Sequence, residues 1–299
     1  MTKTIIRDIE IEDDKLELIK GEFLNQKGFK EIFRDDVDCF DNKGKLIFIF
    51  RKNTIPQELS KVAYKNLISF SKKPHDNRGL VAGKIHKDKI ASDKVLWDKS
   101  QNPFRLKGYN SKYTNNYINL SYGNISRSNI IGYFERKLID KRVKKTQEEL
   151  GLLSGFNRNF PDKWKNVLPY IQQVANIYKK NAPIEYNIQN SECNKTKYRI
   201  EETPFTTITL NYNFRTALHK DSGDFKEGLS CLTVLEQGEY EGYYLGLPNI
   251  RVAIDVREGD VLLFNPHYYH CNTELLTNQE YNRVSLVFYA RTKVLNYKE

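Results

Sequence analysis

From Thr206 onward the chain is cut into short β-branched and aromatic runs: Thr206–Tyr212, Leu229–Leu235, Tyr243–Leu247, Arg251–Ile254, Asp260–Phe264 and Val284–Tyr289. Gly228, Gly238, Gly242, Pro248 and Gly259 separate them. Runs of this length between turn residues form antiparallel strands, and so many at close spacing close into a double-sheet jelly roll. The predicted class is α+β, a double-stranded β-helix core with supporting N-terminal helices and a hairpin.

The supporting elements are read upstream. Val37–Phe40, the turn Asp41-Asn42-Lys43-Gly44 and Leu46–Phe50 form a β-hairpin, with Asn42 and Gly44 supplying the turn. Pro56 opens a helix to about Phe70, apolar at Leu59, Val62, Ala63, Leu67 and Phe70. Pro161 opens another, apolar at Trp164, Leu168, Ile171, Val174, Ala175 and Tyr178, ending before Pro183. Residues 74–135 are polar and loop-rich. We expect one domain over 1–299, with helical and loop support in 1–200 and the jelly-roll strands in 201–299. Its 299 residues, 39% hydrophobic, suffice for a large core. No signal peptide or membrane span is expected. The four cysteines are scattered and read as reduced thiols, so the expected location is intracellular, and nuclear in a eukaryotic host.

Chemistry-bearing residues sit beside these runs. His219-Lys220-Asp221 supplies an imidazole and a carboxylate two positions apart, hence on one side of an extended segment. His267 and His270 follow the run ending at Phe264. His270 directly precedes the next extended segment and is taken as the third ligand, with His267 at the rim. Two histidines and one carboxylate suit a facial-triad iron(II) site with open positions. A second copy of the pattern, His86-Lys87-Asp88, lies among lysines without apolar alternation and is read as surface. Arg283 and Ser285 share one face of a strand. Arginine offers a bidentate fork to a carboxylate, so the pair is expected to hold the distal carboxylate of 2-oxoglutarate. These residues together imply an iron(II)/2-oxoglutarate dioxygenase consuming O2.

Charge points to the partner. The net charge is +10, and residues 51–115 alone hold 15 basic and 5 acidic side chains. Residues 116–180 hold 12 and 5, while the remaining segments together are acidic. A basic belt beside a near-neutral catalytic segment suits a polyanion, nucleic acid first. Arg78, Lys84, Arg105, Lys107 and Lys112 are the expected phosphate contacts.

With those residues placed, the chain resembles the TET/JBP family of nucleic-acid base dioxygenases, and within it the base-J thymine hydroxylase branch. The likeness is carried by Thr203–Thr207, Asn213–Asp221, Gly223–Gly228, Glu258–Phe264 and His270-Cys271-Asn272-Thr273, with weaker similarity through Asn77-Arg78-Gly79 and Arg127–Phe134. It implies iron on His219, Asp221 and His270, and 2-oxoglutarate on Arg283 and Ser285. It also implies that Arg127 contacts the carboxylate nearer the iron. In the cytosine-oxidising branch an asparagine and a histidine contact methylcytosine, where this chain has Asp224 and Arg291. An ionised aspartate only accepts and an arginine only donates. That pair fits the Watson–Crick edge of thymine, unless the two residues pair only with each other. The implied reaction converts the C5 methyl of a thymine flipped out of DNA to 5-hydroxymethyluracil. The rival readings are oxidation of 5-methylcytosine in DNA, oxidation of a methylated base in RNA, and a catalytically silent DNA-binding relative.

Overall fold

The computed structural model describes residues 2–75, 78–84, 104–105, 123–124, 126–135, 151–277 and 279–297. Its strands are β1 Lys3–Arg7, β2 Glu31–Phe33, β3 Val37–Asp41, β4 Leu46–Arg51, β5 Phe104–Arg105, β6 Gly123–Asn124, β7 Ser128–Glu135 and β8 Gly151–Leu153. They continue with β9 Thr207–Tyr212, β10 Ser230–Gln237, β11 Leu245–Leu247, β12 Val252–Ile254, β13 Val261–Phe264, β14 Cys271–Asn272 and β15 Asn282–Tyr289. The α-helices are α1 Asp13–Leu18, α2 Gln57–Ser71, α3 Gly155–Asn159, α4 Pro161–Asn181, α5 Pro183–Cys193 and α6 Thr292–Leu295.

A nine-stranded sheet runs β1-β3-β4-β13-β10-β15-β9-β7-β8, and a four-stranded sheet runs β14-β11-β12-β2. The period of two along each central strand builds two cores. Cys231 and Leu235 of β10, Val261 and Leu263 of β13, and Val284, Leu286 and Phe288 of β15 pack with Ala63 and Leu67 of α2 and with Tyr170, Ile171 and Val174 of α4. The alternate residues Leu232, Val234, Leu262 and Phe264 pack between the sheets against Leu245, Leu247, Val252 and Ile254. Each such side chain contributes about 1.5–3 kcal/mol by leaving water. The site opens at one end of this sandwich.

Pro169 lies within α4, where it cannot donate to the preceding turn. It is exposed, so the freed carbonyl one turn earlier can be met by water. Gly259 takes a positive φ of 88°, and its carbonyl accepts from the amides of Thr54 and Ile55 before β13 begins.

The N-terminal part is woven into the sheets rather than laid over them. β1, β3, β4, β7 and β8 complete the larger sheet and β2 completes the smaller one. The segment before His219 lies outside the strands and is tied by single bonds: Ala217 N to Val81 O at 2.8 Å, Leu218 N to Glu22 O at 2.9 Å and Gly21 N to Leu218 O at 2.8 Å. Among the described residues no helix is long and apolar enough to cross a membrane.

Candidate active site

His219 and His270 face one another in an antiparallel bridge, with His219 N donating to His270 O at 3.0 Å and His270 N to His219 O at 2.9 Å. Each ring is fixed by the same local bond. His219 Nδ1 lies 2.7 Å from Ala217 O, and His270 Nδ1 lies 3.0 Å from Tyr268 O. A carbonyl only accepts, so both Nδ1 atoms carry the proton and both Nε2 atoms are left as lone-pair donors. Asp221 completes the set, its Oδ1 3.5 Å from His219 Nε2 and its Oδ2 3.3 Å from His270 Nε2. The three donor atoms lie within 4.8 Å of one another. Burial, with the neighbouring His270, holds the His219 imidazole down to about 4. Burial alone would raise the Asp221 carboxyl. The bond from His270 and the charges of His219, His270 and Arg78 outweigh it, so the carboxyl lies below its usual range. A divalent cation would take both imidazoles through Nε2 lone pairs and the Asp221 carboxylate. His267 turns away; its Nε2 is buried without a partner and it does not join the cluster.

The cluster lies in a cavity of about 440 Å³. One wall is the site-facing row of β15, Ser285, Val287 and Tyr289, with Thr209 and Asn211 of β9 beside it. Arg283 begins that row and is 1% exposed. Its Nε donates to Tyr240 OH at 3.2 Å, Tyr243 stacks over its guanidinium at 5.4 Å, and its Nη1 is buried with no partner. Asn213 clips its main chain in both directions, at 2.7 and 2.9 Å. A buried guanidinium with an unanswered donor calls for an anion.

The arginine expected on the carboxylate nearer the metal is not at the cavity. Arg127 is exposed, lies over Tyr212 at 5.8 Å and does not line the cavity. The main chain of Arg127 runs along β9, with Tyr212 N donating to its carbonyl at 2.9 Å, which leaves its side chain outside. Arg78 lines the cavity instead. It was expected on phosphates, but it points inward, with Nη2 donating to Thr209 Oγ1 at 3.3 Å and Nε buried without a partner. Burial lowers its pKa, and Tyr289 and Asp221 oppose that. Thr209 and Tyr289, whose hydroxyls lie 3.4 Å apart, were missed. The period of two counted on from Arg283 and Ser285 reaches Tyr289 and would have found it.

Asp224 and Arg291 both line the cavity and their main chains form a bridge. Two features depart from the sequence expectation. Burial, reinforced by the Asp221 charge, drives the Asp224 carboxyl well above its usual range, although Ser230 Oγ donates to its Oδ2 at 2.6 Å. The shift is toward the protonated form, against the ionised acceptor expected. The Arg291 fork is not on Asp224 either; it is on Glu135, with Nε bonded to Oε2 and Nη2 2.6 Å from Oε1.

Of the expected phosphate contacts, Lys84 is committed to the N-terminal segment, 3.4 Å from both Glu22 Oε1 and Leu18 O. Arg105 lies in β5. Lys107 and Lys112, like the second motif His86-Lys87-Asp88, lie outside the described residues. Lysines do meet the cavity elsewhere: Lys220 and Lys293 line it, the latter 71% exposed.

The family model described as the oxygenase domain of the 2OGFeDO superfamily, Tet_JBP, matches residues 142–292. The chain is 35% identical over 170 residues to the thymine dioxygenase JBP1 of Crithidia fasciculata, covering 55% of this chain and 20% of that protein. It is 40% identical over 128 residues to the bifunctional helicase and thymine dioxygenase JBP2 of Trypanosoma brucei brucei (strain 927/4 GUTat10.1), covering 42% and 12%. This chain therefore spans a fifth or less of those relatives' length. Among solved structures, NgTET1 in complex with 5mC DNA shares the fold, with a TM-score of 0.55 at 13% identity, over 100% of this chain and 86% of that one.

Proposed function

The chain belongs to the Tet_JBP family of 2OGFeDO oxygenases, whose domain spans over half of its length, and from that premise we propose that it hydroxylates the C5 methyl of thymine in DNA, giving 5-hydroxymethyluracil. The observation that carries the reading is the triad His219, Asp221 and His270 on a cavity lined by Arg78, whose Nε has no partner, with the buried Arg283 at the start of the same β15 row.

The donor set fits iron(II): two neutral imidazoles and a carboxylate with room beside them. Bound together, iron, 2-oxoglutarate and O2 supply the oxidising power; one oxygen atom enters the methyl C–H bond, the other enters succinate, and CO2 leaves. The protein's part is placement. Arg283 with Ser285 takes the distal carboxylate of 2-oxoglutarate, and the unpaired Nη1 supplies the charge-assisted bond. Arg78, in place of Arg127, takes the carboxylate nearer the metal. The apolar wall of Leu232, Leu245, Phe264 and Val287 helps exclude water from the reacting methyl.

A methyl inside a duplex cannot reach this cavity, so the base enters flipped, with the exposed Lys293 at hand for a flanking phosphate and Lys220 held by Asp13. The base edge meets Asp224 and Arg291. In its protonated form Asp224 would donate once and accept once, pairing with thymine N3–H and a carbonyl, or with cytosine N3 and its amino group. Arginine only donates and therefore favours the thymine O4. The upward shift of the Asp224 carboxyl also favours a second reading, oxidation of 5-methylcytosine on the same site.

Succinate release tests the proposal. With iron(II) and 2-oxoglutarate, thymine-bearing DNA should yield succinate and hydroxymethyluracil in equal amounts. Release without any oxidised base on DNA would remove DNA as substrate.

A further inference from the structure

Glu135 closes β7, and Arg291 follows β15; the two strands flank β9 on either side and bring these residues together across 156 positions of sequence. Their side chains are 11% and 26% exposed, so the pair is largely shielded. Glu135 engages the Nε/Nη2 edge of the guanidinium through both carboxylate oxygens. Two of the five donors are thus used, Tyr289 hydrogen-bonds the guanidinium as well, and the remaining donors are left for the base. Lys293 Nζ, 4.0 Å from Glu135 Oε1, is the other cation facing this carboxylate. Arg291 N donates to Thr206 Oγ1 at 2.9 Å, which fixes the main chain beneath the fork.

We propose that Glu135 is a specificity-determining positioning residue: it clamps Arg291 so that a donor-only edge confronts the base. The inference rests on the thymine reading of the site. Asp224 Oδ2 accepts from Ser230 Oγ at 2.6 Å, which commits that oxygen to the protein. Discrimination then falls to Arg291. Its N–H groups attract the thymine O4 and meet the cytosine amino group donor to donor. An arginine on a free, rotamer-rich side chain could swing toward solvent and lose that discrimination. The bidentate clamp removes this freedom before the base arrives.

The test is a competition. Duplex DNA carrying equal thymine and 5-methylcytosine is offered to the full chain with iron(II) and 2-oxoglutarate, and oxidised nucleosides are counted. Glu135→Ala should lower the thymine-over-methylcytosine ratio by on the order of tenfold or more, the scale of one hydrogen bond to a charged group. Glu135→Gln, which keeps one acceptor and the side-chain shape, should fall between Glu135→Ala and the parent, and it carries the test if the alanine variant does not fold. Glu135→Ala combined with Arg291→Ala should change the ratio no more than Arg291→Ala alone. Titration of 2-oxoglutarate into the metal-loaded Glu135→Ala and Glu135→Gln variants should match the parent, because Glu135 is bonded to Arg291 and not to Arg78 or Arg283. An unchanged ratio in Glu135→Ala, or additive losses in the double variant, overturns the proposal. A parent protein that oxidises no thymine overturns the underlying reading, and is told apart because no variant is needed to see it.

Discussion

His219 and His270 are each held through Nδ1 by the carbonyl two residues earlier, Ala217 and Tyr268, while their main chains exchange hydrogen bonds with each other. The chain thus sets both tautomers by backbone alone, and both Nε2 atoms converge on Asp221. Replacing His270 with Gln, or Asp221 with Asn, should lower iron(II) affinity by more than the roughly 10–100-fold that loss of an outer partner costs. Calorimetric titration under anaerobic conditions checks this. Affinity within twofold of the parent for either variant would remove the triad as the metal site.

Arg283 is buried with one donor unanswered. Lysine keeps the charge but not the fork or the stacking on Tyr243. Arg283→Lys should weaken 2-oxoglutarate binding on the order of tenfold or more while iron binding stays as in the parent. Separate titrations of the two ligands read this out.

Arg78 and Arg127 make opposite predictions. Arg78→Ala should lower 2-oxoglutarate affinity, again by about tenfold, because its guanidinium lines the cavity. Arg127→Ala should leave that affinity where it is, because its side chain lies outside over Tyr212. The reverse ranking would restore the assignment that family resemblance implies.

Burial pushes the thiols of Cys39, Cys193 and Cys271 up to about 12, and that of Cys231 in the same direction. The folded values lie above the ordinary value of 9.0. Their contribution to stability is therefore complete below that pH and is lost as pH rises toward 12. The native protein should not react with a thiol reagent at about pH 8, and all four thiols should react once denaturant is added. Fast labelling of the native chain would contradict the buried placement.

The strands were legible because both faces of the central sheet are buried and their apolar runs are uninterrupted. Expected Val284–Tyr289 is observed as Asn282–Tyr289, and expected Asp260–Phe264 as Val261–Phe264. The triad was legible because His-x-Asp and the distal histidine stand next to those runs. What could not be read was long-range. β1 pairs in parallel with β3, and β2 in parallel with β12, pairings set by tertiary contacts that no local pattern reports. The inward turn of Arg78 depends on the 3₁₀ segment Gly79–Ala82. Glu135 carried no signal because its partner is 156 residues away. The upward shift of the Asp224 carboxyl comes from burial, which no local pattern reports.

The most direct measurement is nucleoside mass spectrometry after incubating the protein with iron(II), 2-oxoglutarate and duplex DNA holding thymine and 5-methylcytosine, with His219→Ala alongside. The account predicts 5-hydroxymethyluracil that disappears in the variant. Hydroxymethylcytosine as the sole product would contradict the base assignment, and oxidised base that persists in His219→Ala would contradict the site itself.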